Sequence, residues 1–339
     1  MKSLIAVQQK LLPDLVTVMQ KRYRILHYIR LTEPIGRRAL TLALGITERV
    51  LRSEVDFLKE QNLLAMATSG MSLTEKGQTV LIELEDMMKE LTGLTLLEQE
   101  LQQKLKIKKV IVVSGDSDTS PFVKQEMGRA AVACMKVFLD KETVIAVTGG
   151  TTLASVASMM TPNLSNTELL FMPARGGLGE QVENQANTIC AKMAEKAMGH
   201  YRLLHVPDQL SEETYESLIE EPNIKEILHQ IQSAGMVIHG IGEAITMAER
   251  RKTPLKDLEK IIQEKAVAEA FGYYFDATGN VVHKVKTIGI QLDDLKNAKC
   301  VIAVAGGSSK AQAIQAFMKQ GHDTIIVTDE GAAKELVNL

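Results

Sequence analysis

The chain contains 339 residues, of which 45% are hydrophobic and 24% are charged, and its formal net charge at pH 7 is −3. This composition indicates a globular protein of two or three domains and excludes wholesale disorder, collagen and a pure coiled coil. Because no apolar run approaches the ~18 residues of a membrane span and the N-terminus lacks the apolar core of a signal peptide, we expect a cytoplasmic protein without a membrane segment.

Charge is unevenly distributed along the chain. Residues 1–70 hold 11 Lys and Arg against 6 Asp and Glu, whereas the remainder is acidic. A basic head on an acidic body is typical of a protein whose head binds nucleic acid; a solvated basic face is the alternative. Aromatic residues make up only 4% of the chain, which disfavours recognition by base stacking.

The head has the pattern of a winged helix-turn-helix domain. A helix is predicted from Pro13 until proline at position 34 breaks it. A short helix follows over 37–46 and ends around a glycine, and Thr47 then caps a second helix. Two short helices joined by a tight glycine turn form a helix-turn-helix, for which an ordinary helical hairpin is the alternative.

The second helix of this motif is predicted to enter the major groove of DNA. Leu51, Val55 and Leu58 repeat at the spacing of one helix face and point inward, so the opposite face is turned outward. Two strands over 64–67 and 71–74 would form the wing. The predicted DNA-binding residues are Arg37, Arg38, Thr47, Arg49, Val50, Arg52 and Ser53.

A helical connector follows the wing. Leu81, Leu84, Met88 and Leu91 recur at three- to four-residue spacing, and leucines continue the pattern past Gly93. Such a narrow seam suits a short coiled coil that joins chains into a dimer or tetramer, and packing on its own domain is the alternative. The predicted domains are therefore a DNA-binding head over 1–74, a connector over 75–105 and a ligand-binding body over 106–339.

The body has the pattern of an α/β domain with a doubly wound parallel sheet. Short apolar runs alternate with helical segments, as expected of strands covered on both faces. The predicted strands are 110–114, 144–148, 169–173, 202–206, 236–241, 301–305 and 324–328. In such sheets the ligand lies outside the carboxyl ends of the strands.

Two of these strand ends carry the same motif. Gly149-Gly150-Thr151-Thr152 and Gly306-Gly307-Ser308-Ser309 each separate a strand from a helix. Glycine lets the backbone approach an anion, the N–H groups of the helix N-terminus bind it, and Lys310 adds a cation. Neither loop is a Walker A or GxGxxG motif, which disfavours a nucleotide. Tight turns without a ligand are the alternative.

Further polar residues follow other glycine-rich strand ends. Arg175 has the planar fork that matches a phosphate, Gln185 begins the next helix, and Arg250 follows a fourth glycine-rich segment. Cations on several loops indicate a ligand with more than one anionic group, or one phosphate and a polar sugar. Glu269 lies beside an aromatic segment and is predicted to accept hydrogen bonds from sugar hydroxyls; an ion pair with a nearby base is the alternative.

The order of these domains, together with six segments, resembles the SorC family of bacterial transcription regulators. The segments are 33–38, 115–118, 149–152, 173–179, 270–275 and 305–310. The resemblance spans essentially the whole chain and implies a repressor of a glycolytic operon that binds double-stranded operator DNA. It also implies a body similar to glucosamine-6-phosphate deaminase and ribose-5-phosphate isomerase, with fructose 1,6-bisphosphate as the effector.

The resemblance also implies roles for individual residues. One phosphate would lie on Gly149, Gly150, Thr151 and Thr152 together with Lys310. The second phosphate and the sugar would be bound by Arg175, Gln185 and Arg250, and the hydroxyls by Glu269.

An enzyme is the alternative from another class, namely a sugar-phosphate isomerase or deaminase with a DNA-binding head, since a fold does not imply a function. Its acid/base candidates by residue type are Asp116, Asp118, His239, Glu269 and Asp329, and no spacing singles out a pair. We therefore expect no enzyme, no catalytic residue, no metal and no cofactor. A third possibility is a DNA-binding scaffold without a ligand.

Overall fold

The computed structural model describes residues 11–139, 142–162, 168–178, 181–321 and 324–339. It divides into two compact units, residues 1–96 and 97–339. The division falls inside the predicted connector. Gly179, in one of the segments that resemble the SorC family, lies outside the described residues. Within those ranges no helix has the length and apolar character needed to cross a membrane.

The first unit is a winged helix-turn-helix. Its elements are α1 (Pro13–Thr32), α2 (Arg37–Leu44), α3 (Glu48–Glu60), β1 (Leu64–Ala67), β2 (Gly70–Leu73) and α4 (Glu75–Leu91). Gly45 ends α2 in the left-handed conformation with φ +64°, and the Thr47 side chain accepts a hydrogen bond from the N–H of Val50 at the start of α3. The strands β1 and β2 pair antiparallel to form the wing. The predicted elements of the head are therefore confirmed.

The core of the head lies between α1, α3 and the wing. Leu51, Val55 and Leu58 of α3 are buried there, as their spacing predicts. Leu81 of the predicted coiled-coil seam belongs to the same core and is fully buried, because α4 packs on α1. At Leu81 the structure therefore agrees with packing on its own unit, the alternative to self-association, whereas its neighbour Ile82 is 65% exposed.

The helix α5 (Leu94–Leu105) spans the division and leads into the second unit. The following elements are β3 (Lys109–Val113), α6 (Pro121–Val137), β4 (Glu142–Val147), α7 (Thr151–Ser158), β5 (Glu168–Pro173), α8 (Ala186–Ala197), β6 (His200–Tyr201), α9 (Glu212–Glu220), α10 (Pro222–Gln232), β7 (Met236–His239), β8 (Gly242–Glu243), α11 (Ala244–Arg250), α12 (Leu255–Gln263), β9 (Ala266–Ala270), β10 (Tyr273–Asp276), β11 (Val281–Lys284), β12 (Cys300–Val304), α13 (Ala311–Met318), β13 (Thr324–Asp329) and α14 (Glu330–Asn338). Short 3-10 helices occupy Val182–Asn184, Leu292–Asn297 and Ser308–Lys310.

Seven parallel strands form the main sheet in the order β3-β13-β12-β7-β4-β5-β6. The predicted doubly wound sheet is therefore confirmed, and six of its strands lie where the apolar runs predict them. The seventh prediction, a strand over 202–206, is wrong. The edge strand is the two-residue segment His200–Tyr201, and the apolar residues that follow, Leu204 and Val206, are buried outside the sheet.

A second, antiparallel sheet of four strands in the order β11-β10-β9-β8 is absent from the sequence prediction. Its tight turn between β9 and β10 contains Phe271 and Gly272, both with positive φ, 56° and 86°. This sheet carries Glu269 to the carboxyl end of the main sheet. The sequence pattern does not predict this sheet, because its strands are short and their polar and apolar residues alternate poorly.

A close contact between α6 and α7 fixes the position of the loop that precedes α7. A Cβ on Gly128 of α6 would lie 2.7 Å from the carbonyl oxygen of Ser155 in α7. Since backbone atoms cannot yield as a flexible side chain can, any side chain here must push the two helices apart.

Gly128→Ala is expected to destabilise the second unit by about 1–3 kcal/mol, the usual cost of overpacking, although alanine favours helix more than glycine does. The measurement is chemical denaturation followed by circular dichroism. Gly235→Ala is the matched control, because no atom lies within 4 Å of the added Cβ at that position. Equal stability of the two variants would contradict the close-packing interpretation.

Candidate functional site

The loop between β4 and α7 presents an open helix N-terminus. Gly150 precedes α7 with φ +116°, and no side chain caps the helix. The first N–H groups of a helix lack partners within it and attract anions. A Cβ on Gly149 would lie 2.7 Å from the carbonyl oxygen of Asn184. The backbone therefore requires both glycines, and no described residue accepts from the N–H groups of Thr151 and Thr152.

The second glycine loop, between β12 and α13, is already occupied by carboxylates. The N–H of Gly307 donates to Asp329 at 2.8 Å. The N–H of Ser308 donates to Asp116 at 3.3 Å, and that of Ser309 to Asp118 at 2.8 Å. The expectation that the backbone of this loop binds an anion is therefore wrong, because the protein itself supplies the anions. What the loop contributes to the ligand cavity is Lys310.

A cavity at the carboxyl ends of the central strands brings the predicted ligand residues together. Its volume is about 110 Å³. The predicted ligand residues that line it are Gly149, Gly150, Thr151, Thr152, Arg175, Gln185, Arg250, Glu269 and Lys310. These nine residues come from segments that are far apart in the chain, whereas residues 306–309 of the second glycine loop do not line the cavity.

Lys310 is a partly buried cation that lines the cavity. Burial, together with the neighbouring positive charge of Lys124, lowers the pKa of Lys310, and Asp118 opposes the shift. In the part of the chain that the structure describes, no carboxylate lies within ion-pair distance of its ammonium group. A phosphate bound in the cavity would restore the favourable interaction that burial removes.

Arg175 and Glu269 form part of a closed ring of four charged side chains, the charge ring, completed by Asp208 and Arg251. Arg175 donates from Nη1 to Oε1 of Glu269 at 3.2 Å and from Nε to Oδ1 of Asp208 at 2.5 Å. Arg251 donates from Nη2 to Glu269 at 2.8 Å and from Nε to Asp208 at 2.9 Å. Glu269 therefore forms ion pairs, as the alternative interpretation of this residue predicts.

Glu269 stays charged within this ring. Burial alone would raise its pKa, but Arg251 and Arg175 outweigh burial and lower it. Both arginines and the N–H of Gly272 bond to Oε1, and no described residue bonds to Oε2. Glu269 can therefore take part in the ion pairs and still accept a hydrogen bond from a ligand hydroxyl.

The site residues predicted from the sequence include neither Asp208 nor Arg251, the other two members of the charge ring. Asp208 follows the segment that was wrongly predicted to be a strand, and nothing in its neighbourhood marks it. Arg251 is adjacent to Arg250, and the sequence does not tell which of the two faces the cavity and which is buried. Only the tertiary structure separates them, with the Arg251 side chain fully buried.

The acid/base candidates of the enzyme alternative have structural partners. Asp329 is fully buried and accepts hydrogen bonds from the N–H groups of Ser117 and Ala332 as well as from the second glycine loop. His239 is fully buried with its ring 4.7 Å from that of Phe271. Within the described ranges, no group of three or more His, Cys, Asp and Glu side chains is placed to hold a metal ion.

The predicted DNA-binding residues lie on the surface of the first unit. Arg37 and Arg38 are exposed at the start of α2, and Thr47 is exposed at the N-cap of α3. The predicted DNA-binding residues of α3 are also exposed, namely Arg49, Val50, Arg52 and Ser53. In the described part of the head, none of these arginines is held in an ion pair.

A buried carboxylate orients the exposed face of α3. Glu54 accepts from Nε of Arg22 at 2.8 Å and pairs with Lys21 at 2.6 Å, both on α1. Burial would raise the pKa of Glu54, but the two cations outweigh it and lower the pKa. The pairing locks the inner side of α3 against α1, so Arg49 and Arg52 face away from the core.

Family models match both units. The model of the CggR N-terminal DNA-binding domain matches residues 18–88, and that of a sugar-binding domain matches residues 89–338. The chain is 69% identical to the central glycolytic genes regulator of Priestia megaterium and 64% identical to that of Bacillus subtilis, over 99% of each chain in both cases. The chain belongs to the family of central glycolytic genes regulators. Transcription regulation through a DNA-binding head is thereby confirmed.

Solved structures agree with this membership. A SorC family transcriptional regulator from Enterococcus faecalis is 46% identical to this regulator with a TM-score of 0.68, over 71% of this chain and 99% of that one. The full-length sorbitol operon regulator SorC from Klebsiella pneumoniae has a TM-score of 0.69 at 17% identity and covers 95% of this chain and 98% of its own, which shows a shared fold.

The lowered pKa of Lys310 leads to a pH-dependent affinity for phosphate. The charged lysine binds the anion, so affinity is highest below its pKa and is lost as pH rises through that pKa, earlier than for an ordinary lysine near 10.4. Between about pH 8 and 10 phosphate keeps its charge, so a fall in affinity reports on the lysine. Calorimetric titration with inorganic phosphate measures it. Lys310→Arg should flatten the profile, and identical profiles would contradict the prediction.

Arg52→Ala is expected to weaken operator binding by about 1–3 kcal/mol, the usual value of a side chain that reads a base edge. Fluorescence anisotropy with an operator duplex and a random duplex, at fixed salt, measures the difference. Lys59→Ala is the control, since it removes one exposed charge from the last turn of the same helix. An equal loss on both duplexes would make Arg52 a phosphate contact.

Proposed function

We propose that the chain is a repressor of an operon of glycolytic genes and that fructose 1,6-bisphosphate, bound in the cavity of the body, relieves its binding to operator DNA. Membership in the family of central glycolytic genes regulators supports the assignment of glycolytic genes as the target. The observation that carries the effector assignment is the single cavity that unites an open helix N-terminus and Lys310 with Arg175, Arg250 and Gln185.

Two anionic subsites account for this set of residues. The N-terminal turn of α7, with its uncapped N–H groups and two threonines, suits one phosphate, and Lys310 adds the charge. Arg250 and Arg175 suit the second phosphate, because a guanidinium presents several N–H donors to phosphate oxygens. Glu269 and Gln185 lie among these cations and suit the hydroxyls of the sugar.

Regulation requires that the effector bind one arrangement of subunits more tightly than another. In the proposed mechanism, dimers or tetramers present paired heads to the operator, and the bound bisphosphate favours an arrangement in which these heads no longer cooperate. Ile82 and Leu96, two exposed apolar residues of the connector, suit such self-association.

The enzyme alternative gains no support from the site. A general acid or base must be within reach of the substrate proton. Of the five candidates only Glu269 lines the cavity, and its carboxylate is paired with two arginines. We propose that the cavity binds the sugar phosphate without converting it.

The test is a titration of the protein–operator complex with fructose 1,6-bisphosphate, followed by fluorescence anisotropy at fixed salt, with fructose 6-phosphate as the control ligand. Release by the bisphosphate alone is expected. Lys310→Ala should retain operator binding and need on the order of 10–100 times more effector, since a hydrogen bond to a charged group contributes about 1.5–3 kcal/mol.

Operator binding that is indifferent to both sugars would refute the effector assignment and favour a DNA-binding scaffold. Isomerisation or deamination of a sugar phosphate that is lost on mutation of Glu269 would refute the absence of catalysis.

A further inference from the structure

The charge ring contains one carboxylate that does not line the cavity yet bonds to both of its arginines. Asp208 is 2% exposed, and its two oxygens divide between the guanidinium groups, with Oδ1 facing Arg175 and Oδ2 2.9 Å from Nε of Arg251. Arg175 and Glu269 face the ligand, whereas Asp208 and Arg251 stand behind them. The position of the lining pair is therefore set by the pair behind it.

The backbone delivers Asp208 to this place through a close contact with the glycine-rich loop after β5. The N–H of Asp208 donates to the carbonyl of Gly177 at 2.9 Å, and the N–H of Gly177 donates to Val206 at 3.0 Å. A Cβ on Gly176 would lie 2.5 Å from the carbonyl oxygen of Pro207. The segment 206–208 is thereby fixed to the loop that carries Arg175, so the carboxylate has little freedom to move.

The ring is electrically balanced, with two guanidinium groups and two carboxylates. Without Asp208, Arg175 would keep only Glu269 as a partner, and Glu269 would be shared between two buried cations. The ring would then carry one net positive charge beside the cavity. A buried unpaired charge is costly, and an arginine released from its partner becomes available to any anion.

We propose that Asp208 is a positioning residue for the ligand: it fixes the guanidinium of Arg175 and cancels its excess charge, so that the cavity selects a sugar bisphosphate over a bare anion. This inference rests on the proposed function for the identity of the sugar. The ligands that the cavity would discriminate against are small inorganic anions.

The experiment measures the dissociation constants of fructose 1,6-bisphosphate and of inorganic phosphate by calorimetry, for the full chain and for Asp208→Asn. In the variant the freed guanidinium attracts phosphate more strongly, while its lost orientation weakens the fit to the sugar. The preference for the bisphosphate over phosphate is expected to fall by about tenfold or more, with phosphate itself binding more tightly. Asp293→Asn is the control, because it removes one charge from the same unit at a side chain that is 90% exposed.

A purely structural role of Asp208 would lower thermal stability and weaken both ligands in the same proportion. An unchanged ratio of the two dissociation constants therefore overturns the proposal. If Asp208→Asn does not fold, Asp208→Glu decides: it keeps the charge and displaces Arg175 by one methylene, so the bisphosphate should bind several-fold more weakly while phosphate is unaffected. Unchanged bisphosphate affinity in that variant overturns the proposal.

The phosphate measurement separates this proposal from the proposed function. If the unaltered protein does not bind fructose 1,6-bisphosphate, the effector assignment fails. Tighter binding of phosphate by Asp208→Asn than by the unaltered protein would still support the positioning role, and equal binding would overturn it.

Discussion

The cavity depends on the neutralisation of buried charge within the protein. Arginines that bind phosphate in a partly buried site must be held in place when the ligand is absent, and an unpaired buried charge is costly. The charge ring meets both needs with two carboxylates, Asp208 and Glu269. It connects the end of β5, the segment after β6, the end of α11 and the strand β9. The antiparallel sheet is thereby joined to the parallel one at the place where the ligand residues meet.

Two loops with the same sequence pattern have different roles for a related reason. In the β4–α7 loop the N–H of Gly150 donates to the carbonyl oxygen of Asn184 at 2.8 Å, but no described residue accepts from the N–H groups of Thr151 and Thr152. In the β12–α13 loop three carboxylates occupy the N–H groups. Asp116 and Asp118 come from the loop after β3, about 190 residues earlier in the chain, and Asp329 from the end of β13. One loop therefore has two open N–H groups at the cavity, and the other is a structural junction that presents a lysine there.

The head applies the same principle to DNA recognition. Glu54 pairs with two cations of α1 on the inner side of α3, and the outward arginines remain available on the opposite side. The wing and the capped start of α3 lie beside these arginines in sequence. Leu81 packs α4, the first helix after the wing, against the same core.

Local sequence determined much of this protein: the winged head, six of the seven parallel strands, the exposure of the arginines on α2 and α3, and the nine predicted residues that line the cavity. Caps, glycine turns and apolar periodicity act within a few residues, so they can be read from the chain, and the carboxyl ends of parallel strands necessarily meet. The tertiary structure alone decided the antiparallel sheet, the edge strand at His200–Tyr201, the occupied N–H groups of the second glycine loop and the ion pairs of Asp208 and Arg251. Each of these depends on partners that are distant in sequence, and a charged residue carries no local sign of which opposite charge it will meet.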